Sequence, residues 1–365
     1  MRIDGRVVTP TGVVTGSIEV AGTRIGSVTP GDVADPQWIV PGFVDMHNHG
    51  GGGDTFTTGD PDAALRAAAF HLRHGTTTLF ASLVSSPFPL MRSATAAFAP
   101  LVDAGVLAGI HFEGPYLSTV RCGAQNPSFL RDPSSTELGE LITLGGGAVR
   151  MVTVAPERPG ALDAIRLLAS HGVIAAVGHT DASYDETLAA IDAGASVGTH
   201  VFNGMRPPHH REPGPVFALL GAASVVCEFV ADGVHLHDGT LSFAATVTGA
   251  DRAALVTDAM AAAGMPDGAY DLGGQEVTVS DRVARLTHDG AIAGSTLTMD
   301  AAVRRAVGAG IPIVDACRMA ATTPARAIGL GETVGSLQPG WRADLAILDA
   351  DLRVVRVMRA GSWVS

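Results

Sequence analysis

Short apolar runs alternate with longer Ala- and Leu-rich stretches from Phe43 to about Ile328. Each run is rich in β-branched residues and is followed by a turn and then by a segment of helical or mixed pattern, an order that predicts parallel βα units. The eight runs are Val40–Met46, Thr76–Ser82, Ala108–Phe112, Met151–Ala155, Ile174–Val177, Val197–Thr199, Val225–Val230 and Ala254–Thr257. Eight parallel strands predict an α/β protein with a (β/α)8, or TIM, barrel. A doubly wound sheet would show a similar alternation, but no Gly-x-Gly-x-x-Gly follows the first run, which disfavours the dinucleotide-binding version.

The two chain ends show a different pattern, in which apolar and polar residues alternate as in short strands. We therefore predict a small β-sandwich domain formed by residues 1–39 and 335–365, beside a catalytic barrel formed by residues 40–334. Glycine-containing turns in Tyr270–Ile292 predict a hairpin inserted after the eighth strand. The alternating end segments are Gly16–Val20, Thr23–Val28, Ala343–Leu348 and Leu352–Met358.

Composition narrows the class of protein. The chain has 365 residues, 46% of them hydrophobic. Its formal net charge of −12 disfavours nucleic acid as a partner, because proteins normally bind a phosphate backbone with a basic face. Its three cysteines are far apart and form no disulfide framework or CxxC motif. Without an apolar leader or membrane-length apolar stretch, we expect a cytoplasmic protein with no membrane contact. All 24 basic residues counted as Lys or Arg are Arg, so mechanisms that need a lysine are excluded.

Two histidines, His47 and His49, follow the first predicted strand. Residues two apart on a strand point to the same face, which is suitable geometry for two ligands of one site. Surface or capping histidines would explain the pair equally well in isolation. The glycines at positions 50–53 follow at once and would let a bound group approach the backbone closely.

Polar residues also end four other predicted strands. Each of them alone has an ordinary explanation as a loop residue. Because barrel enzymes assemble their sites where the carboxyl ends of the strands meet, the coincidence predicts one common site. The residues are Glu113 after the third strand, His179 after the fifth, His200 after the sixth and Asp258 after the eighth.

Imidazole and carboxylate ligands without thiolates suit zinc or a similar divalent ion. Such an ion lowers the pKa of bound water to about 7 and polarises a carbonyl. Asp258 is then the predicted proton carrier, from the attacking water to the leaving amine. His235, beyond the seventh strand, could donate a hydrogen bond to the developing oxyanion, whereas His237 is equally well explained as a solvated loop residue.

The order of these residues, with the split β-sandwich, resembles the amidohydrolase superfamily. Many of its binuclear members bridge two metals with a carboxylated lysine, which this chain cannot supply. The use of Glu113 instead is similar to one branch, the N-acetylglucosamine-6-phosphate deacetylases. The matching motifs span nearly the whole chain: PGFVD at 41, HFEGPY at 111, GHT at 178, THVFNGM at 199, REPG at 211, ADGVH at 231, VTDA at 256 and AGS at 293.

The resemblance implies a metal centre and a catalytic pair. Asp258 would be the acid and base, and His235 would contact the acetyl carbonyl. Some members lack the strand-one histidines and use one metal, so the presence of both here implies one or two ions per subunit. The implied metal ligands are Glu113, His179 and His200 for the main ion, with His47 and His49 for a second.

The resemblance also implies a substrate site shared between subunits. In the family, the arginine that matches Arg211 reaches the substrate of the neighbouring subunit, which implies a homodimer. Gln125 stands where many relatives have a histidine, and Cys122 has no base beside it in sequence that would support a catalytic role. The implied substrate contacts are Ala124, Gln125, Asn203, Gly204, Arg211, Asp232, Gly233, Val234, His235, Ile292, Ala293 and Gly294.

The charge pattern gives an independent hint of a phosphate. Arg206, His209, His210 and Arg211 form the densest cationic cluster of this acidic chain. An arginine fork binds phosphate bidentately, although an exposed polar loop would look the same.

The residues predict a metal-dependent hydrolase. The resemblance implies that it converts N-acetylglucosamine 6-phosphate to glucosamine 6-phosphate and acetate, in amino-sugar catabolism and recycling. One alternative is another amidohydrolase reaction. The galactosamine epimer of the substrate differs at one hydroxyl group, and no motif in the sequence distinguishes the two epimers. Cyclic-amide hydrolases usually use the lysine that this chain lacks, so they are disfavoured. The other alternative is a non-catalytic scaffold, but such relatives typically lose metal ligands that are all kept here.

Overall fold

The N-terminal segment forms an antiparallel sheet. The computed structural model describes residues 1–364. The first four strands are β1 (Arg2–Thr9), β2 (Gly12–Ala21), β3 (Arg24–Pro30) and β4 (Trp38–Pro41). β1 pairs with β2 in antiparallel register, and β4 lies parallel to β1 on the other side. The inward side chains Val7, Ile18 and Ile39 are fully buried.

Eight parallel strands then form the barrel, as the apolar runs predict. Their sheet order follows the chain, from β5 to β14. Every residue of the second barrel strand is buried, which explains its continuous apolar and threonine-rich sequence. The barrel strands are β5 (Phe43–Asp45), β8 (Thr76–Leu83), β9 (Gly109–Glu113), β10 (Val149–Val154), β11 (Ile174–Val177), β12 (Ala195–Gly198), β13 (Val226–Val230) and β14 (Ala253–Val256); β6 (Gly50–Gly51) and β7 (Asp54–Thr55) form a small hairpin above β5.

The run predicted as one first strand, Val40–Met46, is divided between two sheets. β4 pairs with β1 in the sheet of the chain ends, whereas β5 pairs with β8 in the barrel. The break falls at Gly42, where a Cβ atom would lie 2.4 Å from the Thr77 hydroxyl. A side chain is excluded there, so only glycine fits at the point where the chain passes from one sheet to the other.

Side chains replace strand pairing where the barrel closes between β14 and β5. Asp45 accepts hydrogen bonds from the Thr257 backbone N–H at 3.2 Å and from its hydroxyl at 2.6 Å. One residue further on, the Asp258 N–H donates to the His47 carbonyl at 2.9 Å. These bonds tie the ends of the first and eighth barrel strands together, which fixes Asp258 beside the His47 segment.

Helices follow most barrel strands and pack on the outside of the barrel. Their ends are set by local signals, as in the helix after β11, where Ser183 and Glu186 form a reciprocal capping box. The helices are α1 (Pro61–Arg73), α2 (Phe88–Asp103), α3 (Ser135–Gly145), α4 (Ala161–Ser170), α5 (Tyr184–Asp192), α6 (Gly214–Gly221), α7 (Asp238–Thr248), α8 (Met299–Gly308), α9 (Ile313–Cys317) and α10 (Thr323–Ala327), with a 3-10 turn at Pro127–Phe129 and a π-helical turn at Arg318–Thr322.

The segment after β14 is a three-stranded antiparallel sheet, one strand more than the predicted hairpin. Its strands are β15 (Gly268–Leu272), β16 (Gln275–Ser280) and β17 (Val283–Leu286). Two-residue turns with positive φ at both positions join them, at Gly273-Gly274 and at Asp281-Arg282. The second turn lacks glycine, so the sequence pattern does not reveal it.

The chain returns to the first sheet at its C-terminal end. β18 (Leu345–Leu348), β19 (Val354–Arg359) and β20 (Ser362–Trp363) complete a seven-stranded sheet in the order β20-β19-β18-β4-β1-β2-β3. The predicted barrel with a β-rich unit built from both chain ends is confirmed, while its exact domain boundaries stay a prediction. Among residues 1–364, no helix is both long and apolar enough to cross a bilayer.

Candidate metal centre and active site

The strand-one histidines lie inside the barrel mouth. His47 is fully buried and His49 is 1% exposed. The Nε2 atoms of the two rings are 3.1 Å apart, and His49 Nε2 lies 3.2 Å from Asp258 Oδ1. These three side chains form one group of closely spaced ligand atoms.

A second group of ligand atoms lies against the first. Glu113 Oε1 is 3.0 Å from His179 Nε2 and 2.8 Å from His200 Nε2. The other oxygen of Glu113, Oε2, is 3.3 Å from His49 Nε2. Glu113 therefore faces both groups, and its Oε1 also lies 3.5 Å from His47 Nε2 of the first group.

Three of these residues have a strained backbone. His179, His200 and Asp258 have φ values of +45°, +27° and +49°, in the left-handed region that non-glycine residues seldom adopt. Strain of this kind persists only where surrounding structure imposes it, and it clusters at functional sites. The barrel thus holds these side chains over the mouth at a conformational cost.

The hydrogen bonds of the imidazole rings fix their tautomers. A carbonyl oxygen can only accept, so His49 Nδ1 donates to the Ser82 carbonyl at 3.0 Å and His179 Nδ1 donates to the Arg121 carbonyl at 3.0 Å. His47 Nδ1 faces the Glu228 carboxylate at 2.9 Å. In the neutral rings, the Nε2 lone pairs therefore point at one another and at carboxylate oxygens.

This arrangement fits a divalent metal ion. Facing lone pairs and carboxylates repel one another unless protons or a cation lie between them. Four ligands at zinc–ligand distances lie roughly 3.3 Å from one another around a tetrahedral ion. The distances of 3.1–3.6 Å among His47, His49, Asp258 and Glu113 match that spacing.

The pKa shifts show how strongly these charges interact. Burial lowers the pKa of His49, but Asp258 and Glu113 outweigh it and raise that pKa to about 9. Burial raises the pKa values of Glu113 and Asp258, yet the facing histidines hold both well below the usual range. Because a metal ion must displace the histidine protons, its affinity should fall as the pH is lowered.

A cavity of about 210 Å³ opens above the two groups. Its walls include His235 and most of the residues predicted to contact substrate. Ala293 is buried behind the wall, and Asp232, Gly233, Val234 and Arg211 do not line it. Predicted residues on the wall are His49, Glu113, Ala124, Gln125, His179, His200, Asn203, Gly204, His235, Asp258, Ile292 and Gly294.

Gln125 is held by two short hydrogen bonds. Its Oε1 accepts from the Ser85 N–H at 2.6 Å, so its amide nitrogen faces Glu113 and donates to Oε2 at 2.6 Å. Gln125 is therefore a neutral donor on the metal-facing carboxylate as well as part of the cavity wall. Neighbouring Cys122 has a pKa raised by burial, which disfavours the reactive thiolate.

Asp232 orients His235 from behind. Its carboxylate accepts from His235 Nδ1 at 2.7 Å and from two backbone N–H groups, those of Val234 and His235. His235 Nε2 consequently points into the cavity, 3.8 Å from Asp258 Oδ2. Burial lowers the pKa of His235, but the Asp232 carboxylate outweighs it and raises that pKa. His237 instead caps α7 by accepting from the Gly239 N–H.

We expect Asp232→Asn to lower kcat by between about 10-fold and 10³-fold, the upper value corresponding to loss of one oxyanion donor. Because the carboxylate raises the pKa of His235, its removal should also shift the alkaline limb of the kcat profile to lower pH. Asp300→Asn is a matched control, since Asp300 faces His74 at 3.5 Å in another Asp–His pair and does not line the cavity. An unchanged pH profile in Asp232→Asn would contradict this role.

The cationic cluster divides into two parts. Arg206 is neutralised by Asp181 at 3.1 Å, and Asp181 also accepts from Arg121. Arg211 is exposed; its guanidinium lies 2.7 Å from His210 Nε2 and, among residues 1–364, forms no salt bridge with a carboxylate. Arg206 is thus part of a bridge between loops, and Arg211 is the arginine left free to meet another molecule.

Sequence reasoning did not identify several residues that support the site. Glu228, fully buried in β13, contacts His47, and Ser82 fixes His49 through its carbonyl. A charged residue inside the apolar run Val225–Val230 was a visible signal for Glu228. A backbone carbonyl gives no such signal, so the role of Ser82 needed coordinates.

The chain is similar to known proteins over nearly its full length. The model of the amidohydrolase family matches residues 38–364. An N-acetylgalactosamine-6-phosphate deacetylase of Escherichia coli O157:H7 is 37% identical over 95% of this chain and 94% of the relative. An N-acetylglucosamine-6-phosphate deacetylase of Lysinibacillus sphaericus is 36% identical over 89% of this chain and 85% of the relative.

A solved structure agrees in both fold and sequence. It is an Asp-to-Ala variant of the N-acetyl-D-glucosamine-6-phosphate deacetylase of Mycobacterium smegmatis in complex with N-acetyl-D-glucosamine 6-phosphate. It superposes with a TM-score of 0.96 at 46% identity, covering 100% of this chain and 98% of that one. Together with the buried histidine and carboxylate cluster at the barrel mouth, these similarities show that the chain belongs to the amidohydrolase family, in its branch of amino-sugar-6-phosphate deacetylases.

Proposed function

We propose that the protein hydrolyses the acetamide of N-acetylglucosamine 6-phosphate to glucosamine 6-phosphate and acetate. The observation that carries this proposal is the convergence of Asp258 and His235 on one cavity, directly above the cluster around Glu113. Amide hydrolysis needs a proton carrier, an oxyanion donor and an electrophile. Asp258 and His235 suit the first two roles, and the cluster around Glu113 would hold the metal ion that supplies the third.

The proposed cofactor is zinc. Glu113, His179 and His200 would hold the main ion, and His47, His49 and Asp258 offer a second position. When bound, a divalent ion lowers the pKa of water and polarises the scissile carbonyl. The absence of thiolates from both groups agrees with a nitrogen and oxygen site.

The remaining chemistry belongs to side chains of the barrel. Asp258 is ionised at neutral pH because the facing histidines hold its pKa low, so it can accept a proton from the attacking water. It then returns that proton to the departing amine. His235, oriented by Asp232, donates from Nε2 to the acetyl oxygen as negative charge develops there.

The sugar would bind along the cavity wall above the metal groups. Gln125 presents its amide from one side, and Asn203 and Gly204 lie on another. A Cβ atom at Gly204 would approach His179 Nδ1 to 2.8 Å, so this glycine lets the backbone pass close to a proposed ligand. Ala124, Ile292 and Gly294 complete the proposed contacts.

The proposed phosphate contact comes from a second copy of the chain. Arg211 is exposed and does not line its own cavity, as expected of a residue that serves a neighbour. The adjacent helices expose Phe217 on α6 and Phe243 and Val247 on α7, at 48%, 54% and 44%. Exposed apolar side chains of this kind would be covered in a homodimer.

We expect Arg211→Ala to raise KM for the phosphorylated sugar with little change in kcat, because it removes a contact remote from the reacting bond. Turnover of unphosphorylated N-acetylglucosamine should be unaffected. Arg166→Ala on α4 is the control, because Arg166 is another exposed arginine that pairs with Asp163 and does not line the cavity. Equal effects of Arg211→Ala on both sugars would argue against a phosphate contact.

The assay that tests the proposed function is acetate release from a panel of substrates. The panel contains N-acetylglucosamine 6-phosphate, its galactosamine epimer, unphosphorylated N-acetylglucosamine and a hydantoin. The epimer is a second candidate because relatives from Escherichia coli O157:H7 and Shewanella carry that name. Preference for the glucosamine phosphate supports the proposal, and activity on the hydantoin alone would reject it.

We also propose a cytoplasmic location. The three cysteines at 122, 227 and 317 are all free thiols, which agrees with a reducing compartment. A phosphorylated sugar is the proposed small-molecule partner.

A further inference from the structure

Glu228 is a buried carboxylate beneath the metal-binding groups that the proposed reaction does not use. It lies in β13 with no exposed surface. Its Oε2 accepts from His47 Nδ1 at 2.9 Å and from the His200 N–H at 3.1 Å. Its Oε1 has no hydrogen-bond partner among the described residues. One oxygen therefore contacts residues from both ligand groups.

The contact with His47 determines which nitrogen can bind a metal. With Nδ1 donating to Glu228, the lone pair of His47 is on Nε2, which faces His49 and Asp258 at 3.1 and 3.6 Å. Ligand histidines in metal sites characteristically donate their other N–H to a carboxylate or carbonyl, which fixes the tautomer and increases ligand basicity. His47 donates its other N–H to the carboxylate of Glu228, and His49 donates its other N–H to the carbonyl of Ser82.

The charges in the barrel mouth favour more than one cation. Glu113, Asp258 and Glu228 are all at most 6% exposed and share the same buried region. With neutral histidine ligands, these three carboxylates carry a charge of −3, of which one divalent ion offsets two. A buried charge without compensation is costly, so a second cation stabilises this arrangement.

We propose that Glu228 is a positioning residue that prepares His47 to bind a second divalent cation together with His49 and Asp258. The inference rests on the proposed metal centre, and it identifies a residue that affects whether the second ion binds there. Glu228 acts through the His47 ring and touches neither substrate nor the reacting atoms.

The test is a competitive zinc titration of the metal-stripped protein, with the ions per chain counted by elemental analysis. Wild type should bind two ions. Glu228→Gln keeps an acceptor without the charge, and Glu228→Leu removes the acceptor. The second ion should bind roughly 10-fold more weakly in the first variant and about 100-fold in the second. The first ion should be affected less, because Glu228 contacts His200 only at its backbone N–H.

Two further variants separate positioning from a general effect of altering the barrel interior. The double variant Glu228→Leu with His47→Asn should bind the second ion no more weakly than His47→Asn alone. Thr153→Val removes a buried hydroxyl that contacts His111 at 2.9 Å but no proposed ligand, and it should keep both ions. The melting temperature of each metal-stripped variant checks folding; if Glu228→Leu does not fold, Glu228→Gln carries the comparison.

A wild type that binds one ion, or a Glu228 variant that binds the second ion at wild-type affinity, would overturn the inference. Acetate release by the wild type is measured separately. If the wild type binds two ions and the Glu228 variants bind the second ion more weakly, but the wild type releases no acetate, the proposed function alone is rejected. Deacetylation by a wild type that binds a single ion would reject only the role of Glu228.

Discussion

Replacing Asp258 by Asn should lower kcat by roughly 10²–10⁴-fold, which is the usual contribution of a positioned general acid and base. Asn cannot accept a proton, but it keeps the shape of a side chain that is only 6% exposed and touches His49. The ion held by Glu113, His179 and His200 should remain, since Asp258 is not in that group.

The comparison is single-turnover acetate release with metal content measured on the same samples. Because Asp258 also lies in the second ligand group, loss of one ion is compatible with this account, whereas loss of both is not. Near-normal turnover by Asp258→Asn would contradict the assignment of the proton carrier.

Replacing Glu113 by Gln should also lower activity strongly, because Glu113 faces both metal groups. The amide loses the negative charge that balances the ions, so we expect the content of both to fall together. Losing the electrophile removes several kcal/mol of transition-state stabilisation, which corresponds to a drop in kcat/KM of roughly 10³-fold or more.

Glu137→Gln is the matched control for that experiment. Glu137 is a partly buried carboxylate in α3 that pairs with Arg131 and Tyr116 and does not line the cavity. It should keep full metal content and activity. If Glu113→Gln retained its metal and turned over normally, Glu113 would not be the central ligand.

The barrel was predictable because its signals are local and repeated. Each β-branched run contains a parallel strand of the barrel, the first of them only from Phe43 onward. Polar residues at the run ends, such as His200 and Asp258, lie together at one mouth. The sequence indicates where each strand ends. Because a barrel brings the carboxyl ends of its strands together, the residues at those ends form one site.

The features of the fold and the site that could not be predicted depend on contacts between segments that are distant in sequence. The run Val40–Met46 is divided because its two halves pair with strands from different parts of the chain, β18 and β8, and no periodicity reveals such partners. The sequence places Arg206 in a candidate phosphate-binding cluster, whereas in the structure this arginine pairs with Asp181. Asp45, which lies in a recognisable motif, ties the ends of the first and eighth strands together, a role that only the closed barrel shows.

The central claim is metal-dependent deacetylation at this barrel mouth. The most direct measurement is the rate of acetate release from N-acetylglucosamine 6-phosphate by the native protein, by the same protein after chelation, and after zinc is returned. We expect activity to disappear with the metal and to recover in proportion to the ions bound. Full turnover by the metal-free protein, or no acetate release by the fully loaded one, would contradict the account.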